Sequence, residues 1–162
     1  MRSLTIIITL FTSLFLSQIT LANADDLAVQ KGWVTIKTSY DYPTMIKHVN
    51  AAAKANKIGI VSRASATVGA AKVLKKKIPG NMVVGLYHPK FAVRMLEASI
   101  AAGIEAPIRV YITENKDGTA TLSYKKPSTV FAPYMATGGE KLKALASELD
   151  TLFAKIAQDA TK

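Results

Sequence analysis

From Trp33 to Thr38 the chain alternates, with Val34 and Ile36 on one face and Trp33, Thr35 and Lys37 on the other, the period of a half-buried strand. Asp41 then caps a predicted helix with Pro43 in its first turn, and Met45, Ile46, Val49, Ala52 and Ala53 recur on one face until about Asn56. A short apolar run, Ile58 to Val61, predicts a second strand. Ser65 caps a second helix carrying Val68, Ala71 and Leu74, which ends in Lys75-Lys76-Lys77 and is stopped by Pro79-Gly80. Three lysines suit the negative end of a helix dipole, and the same cluster is also a candidate partner-binding patch.

Met82 to Tyr87 predicts a buried strand, and Pro89 opens a helix along Phe91, Met95, Ala98 and Ala102 that Gly103 closes. Ile108, Val110 and Ile112 alternate with Arg109, Tyr111 and Thr113, and across Asn115-Lys116-Asp117-Gly118 stands a partner strand, Thr119 to Tyr124, which makes a β-hairpin. A loop with Pro127, Phe131 and Pro133 leads through Gly138-Gly139 to Leu142, Leu145, Ala146, Leu149, Leu152, Phe153 and Ile156, one continuous helical stripe. The order β-α-β-α-β-α-β-β-α predicts an α+β fold. We read it as a two-layer sandwich, a mainly antiparallel sheet with helices packed on one face and a long C-terminal helix.

Ahead of this pattern, Arg2 precedes an apolar run from Leu4 to Leu16, and Ala22-Asn23-Ala24 forms a small-x-small site before Asp25-Asp26. Residues 1–24 therefore read as a signal peptide cleaved after Ala24, and residues 25–162 as a single domain in a periplasmic or secreted protein, with no transmembrane anchor after cleavage. The apolar run is shorter than the roughly 20 residues of a spanning helix, which argues against an uncleaved anchor.

Composition narrows the chemistry. The chain has no cysteine, which excludes disulfides, thiol catalysis and thiolate metal sites. All eleven acidic residues and twenty of the twenty-one basic ones lie beyond residue 24, a net charge of +9 that steers anionic partners. No interleaved basic and aromatic motif supports a nucleic-acid partner. The only histidines, His48 and His88, fall in separate elements without metal-ligand spacing. Neither a nucleophile elbow nor a phosphate-binding glycine loop is present, so we assign no catalytic residue and no metal. His88 with Met82, Met95 or Met135 is a soft donor set for copper or a haem iron, a minor alternative in a sequence that otherwise requires no cofactor.

Four stretches then occur in a telling order: Met82-Val83-Val84-Gly85-Leu86-Tyr87-His88-Pro89-Lys90, Ala106-Pro107-Ile108-Arg109-Val110-Tyr111-Ile112, the hairpin with Asp117-Gly118, and Tyr124 followed by Pro127. Together, over about residues 34–136, they resemble the family catalogued as domain of unknown function 302. The resemblance implies a compact α+β domain similar to TATA-binding-protein-like folds and supplies no reaction. The family often has Phe-Gly-Asn-Pro where this chain has Leu86-Tyr87-His88-Pro89, and an Asp-His pair where it has Ala66-Thr67.

The most suggestive local feature is the strand-to-helix junction Tyr87-His88-Pro89-Lys90. A helix start with a lysine in its first turn favours an anion, and a neutral His88 either meets the ligand or caps its own helix. Our reading is a non-enzymatic periplasmic binding or accessory protein, its sheet and last helix enclosing an apolar cleft for a small anionic or amphipathic ligand. Tyr87, His88, Lys90, Arg109 and Tyr111 are the candidate ligand-binding residues. The alternative is an interaction module that forms a homodimer or docks through its basic face on an acidic partner such as a redox protein.

Overall fold

The computed structural model describes residues 30–162; the predicted leader and its cleavage site lie outside the described residues. Five strands, β1 (Trp33–Asp41), β2 (Gly59–Ala64), β3 (Asn81–Tyr87), β4 (Ile108–Glu114) and β5 (Thr119–Lys125), form one sheet in the order β1-β5-β4-β3-β2. Every neighbouring pair is antiparallel. The architecture is the α+β one that the sequence predicts.

Register explains which residues meet. Ile36 lies opposite Leu122, which faces Ile112, while Val84 faces Val110 and Val110 faces Tyr124. This apolar set is covered by α1 (Tyr42–Ala55), α3 (Pro89–Ala98) and α5 (Met135–Thr161). Asp41 caps α1, its Oδ1 accepting from the Thr44 N–H at 2.8 Å, and Met45, Val49, Ala52 and Ala53 are buried. In α5 the stripe residues Leu142, Leu145, Ala146, Leu149, Phe153 and Ile156 are all buried. Gly139, at φ 58° and ψ −154°, breaks the helical backbone within α5, a conformation that costs a residue without a side chain least.

Three segments depart from the sequence pattern. The second helix is short, α2 (Ala66–Gly69), running on into a wider π turn, Ala70–Leu74, and ending at Lys75 in the left-handed region. Its expected apolar stripe is uncovered: Val68 and Leu74 are exposed, as is Val73. The third helix stops at Ala98 instead of running to Gly103, because Ser99 turns extended and its Oγ accepts from the Ala102 N–H at the start of a 3-10 turn, Ala101–Glu105. The predicted loop around Pro127 holds a short helix, α4 (Pro127–Phe131), pinned by Asp150, whose carboxylate accepts from Ser128 N–H at 2.8 Å and Ser128 Oγ at 2.6 Å.

Candidate functional site

The helices α1, α3 and α5 occupy one face of the sheet and leave the other to the alternate residues of each strand. On that second face, register aligns Thr35 with Ser123 and Ser123 with Tyr111, then Tyr111 with Val83; the next row pairs Gly85 with Arg109. Side chains at the rim raise walls around this floor, from Ala64, Ser65 and Ala66 at one edge to Glu105 and Val130 at the end. The result is an open cleft of about 670 Å³ lined by Trp33, Asn81, Val83, Arg109, Tyr111, Ser123 and Lys125, among others. Gly85 keeps the floor low: a Cβ there would meet Ser62 Oγ at 2.3 Å and Pro107 Cγ at 2.7 Å.

The polar lining of the cleft is mainly basic, aromatic and hydroxylic, with the Glu105 carboxylate at its end accepting from the Tyr134 hydroxyl at 2.9 Å. Lys125 Nζ stands 5.5 Å from the centroid of the Trp33 ring, a cation–π contact at one end. Arg109 is exposed and has no ion-pair partner among the described residues. Ser123 is only 1% exposed, and its hydroxyl has no protein hydrogen-bond partner there; the buried Thr35 Oγ1, on the opposed strand residue, has none either.

The five sequence-predicted residues divide between two places. Arg109 and Tyr111 line the open-face cleft, on the side of the sheet away from the last helix. Tyr87 and His88 line a separate, small cavity of about 40 Å³ beneath α3, walled by Phe91, Met95, Phe131, Leu149 and Phe153. Lys90 is exposed in the first turn of α3. His88 is the N-cap of that helix: its Nδ1 accepts from the Lys90 N–H at 3.1 Å, and its ring meets Phe91 edge-on at 5.5 Å. With Nδ1 occupied as an acceptor, the ring proton sits on Nε2. Met95 shares the cavity wall with His88 while Met82 and Met135 do not, and the space is far too small for a porphyrin. Among the described residues no group of three His, Asp or Glu side chains is placed to hold a metal ion.

Trp33, Ser123 and Lys125 are the cleft residues that sequence reasoning missed. Each lies on the polar phase of an alternating strand, a signal that was present. What joins them is the pairing of β1 with β5, a contact between segments some ninety positions apart.

Fold and cleft together define an α+β protein with a helix-covered antiparallel sheet whose free face holds a ligand-sized basic depression. The family described as "Domain of unknown function DUF302" matches residues 34–160, and the chain belongs to that family. Among solved structures it is similar to the crystal structure of an uncharacterized conserved DUF302 protein from Bacillus stearothermophilus, with a TM-score of 0.71 and 16% identity, covering 81% of this chain and 99% of that one. No curated protein matches the sequence.

Proposed function

We propose that this protein is an exported, non-enzymatic binding or accessory domain that holds a small anionic or amphipathic ligand in the open-face cleft. The observation that carries the reading is the 670 Å³ depression lined by the unpaired Arg109 and by the Trp33–Lys125 pair. An anionic head pairs with Arg109, and an apolar body lies along Trp33, Val83 and Tyr111. Trp33 is the only tryptophan of the chain and so reports occupancy directly.

The test is a fluorescence titration of the mature protein with inorganic phosphate, a medium-chain carboxylate and an aromatic carboxylate. A saturable change in Trp33 emission is expected for at least one of them, weakened about 10- to 100-fold in Arg109→Gln, as for a charge-assisted hydrogen bond. No response to any of the three, or a response that Arg109→Gln leaves unchanged, overturns the reading. Export is read by N-terminal sequencing, which should begin at Asp25.

Self-association is the second reading, favoured by Val93 and Leu96 on α3 and by Ile100 and Ile104 at the 3-10 turn after it, which are 47–83% exposed. Sedimentation velocity over a hundredfold concentration range decides it; a single monomeric species throughout removes it.

A further inference from the structure

We propose that the segment from β2 to the lysine run, residues 59–77, docks on an anionic lipid surface. Between Tyr42 and Leu96 the sequence contains no aspartate or glutamate, yet ten of its lysines and arginines fall there. Four of these, Lys72, Lys75, Lys76 and Lys77, are exposed in and just after the π turn that follows α2. Beside them, Val68, Val73 and Leu74 are 62%, 75% and 70% exposed, and Val61 on β2 is 56% exposed.

A lone exposed valine or leucine is ordinary. Three within seven residues, interleaved with lysines and covered by no described residue, form a different surface. A solvated turn accounts for the lysines but not for the apolar side chains. An acidic protein matches the charge alone. A bilayer interface accommodates both groups: ammonium groups meet head-group phosphates while short apolar side chains enter the acyl boundary. The left-handed backbone at Lys75, φ 53°, ends the turn and carries the chain on into Lys76 and Lys77. β2 is the outer strand of the sheet on this side, so no further strand among the described residues shields the segment.

The experiment is cosedimentation of the mature protein with vesicles of phosphatidylglycerol and phosphatidylcholine in equal parts, against pure phosphatidylcholine. Binding to the anionic vesicles is expected and to the neutral ones not. Lys75→Gln/Lys76→Gln/Lys77→Gln should weaken binding on the order of 100-fold, and Val73→Ser/Leu74→Ser about tenfold or more. All five positions are exposed, so circular dichroism should confirm that both variants keep the fold. Equal binding to both vesicle types overturns the proposal, as does no binding to either. An unchanged Val73→Ser/Leu74→Ser variant that binds soluble polyglutamate as tightly as anionic vesicles also overturns it, and assigns the patch to an acidic protein.

Discussion

Replacing Leu149 with alanine tests whether α5 is part of the core or a detachable cover. Leu149 is 5% exposed and sits where α5 meets α3, on the wall of the 40 Å³ cavity that also borders Phe131 and Phe153. Truncation removes about three carbon groups, a transfer loss of about 2.4 kcal/mol at roughly 0.8 kcal/mol per group. The new void merges with the existing cavity, and the walls beside it are aromatic rings that cannot easily close in, so a further cavity cost applies. We expect about 3–4 kcal/mol in all, within the range of about 2–5 kcal/mol for buried Leu→Ala. In a chain of this size that is a fall of roughly 10 °C or more in Tm, measured by thermal and urea denaturation followed by circular dichroism. Val73→Ala is the control: the same kind of truncation at a 75% exposed position should change stability by less than about 0.5 kcal/mol. A Leu149→Ala loss below about 1 kcal/mol would refute the reasoning, because the stripe would then not be bearing on the sheet.

Burial, with a smaller contribution from the charge of Asp150, raises the Tyr124 hydroxyl above its ordinary value, and burial likewise raises Tyr42. Both groups favour the folded state fully below about pH 10, and that contribution is lost as pH rises through the folded values; an alkaline stability scan should decline there, less steeply in Tyr124→Phe. The carboxyl groups of Asp117 and Asp159 are held below the usual range, chiefly by hydrogen bonds from Thr119 and Lys155 respectively. Their contribution is present above about pH 4 and lost as pH falls through the lowered values, so Asp117→Asn/Asp159→Asn should flatten the acid limb of the same scan. Asp150→Ala leaves the Ser128 N–H and hydroxyl without the acceptor they share, which should cost about 1–3 kcal/mol in urea denaturation.

Periodicity exposed the fold because one face of each main element buries one phase of its pattern. The Leu142-to-Ile156 stripe, in which Leu152 alone is half-buried, and the alternation of Ile108, Val110 and Ile112 survive as buried sets. The failures have a common cause in contacts between distant segments. α4 exists because Asp150, twenty-two positions away, holds Ser128. Ser99 ends α3 through a bond to Ala102 that competes with the helix. The open-face cleft was legible only in halves: Arg109 and Tyr111 come from a strand whose polar phase stood out, whereas Trp33 and Lys125 join them through the β1–β5 register. The Tyr87-His88-Pro89-Lys90 junction drew notice because imidazoles are chemically conspicuous, and there Nδ1 accepts from the helix backbone.

The two departures from the wider family pattern bear on the cleft and on the junction in different ways. At the junction, a histidine stands where an asparagine is common, and its ring nitrogen accepts the Lys90 N–H just as an asparagine oxygen can at an N-cap. That exchange preserves a structural bond. At Ala66-Thr67, where an Asp-His pair is common, Ala66 lies on the rim of the cleft. The Thr67 hydroxyl is committed to structure, donating to the Pro79 carbonyl at 2.8 Å and accepting from the Asn81 N–H at 3.0 Å. An acid and an imidazole at these positions would place proton-transfer groups beside the cleft. Alanine and a fully bonded threonine supply none at those two positions, while Arg109, Lys125, Glu105, Ser65 and the two aromatic rings remain in the lining. Two cations in such a lining suit the holding of an anion.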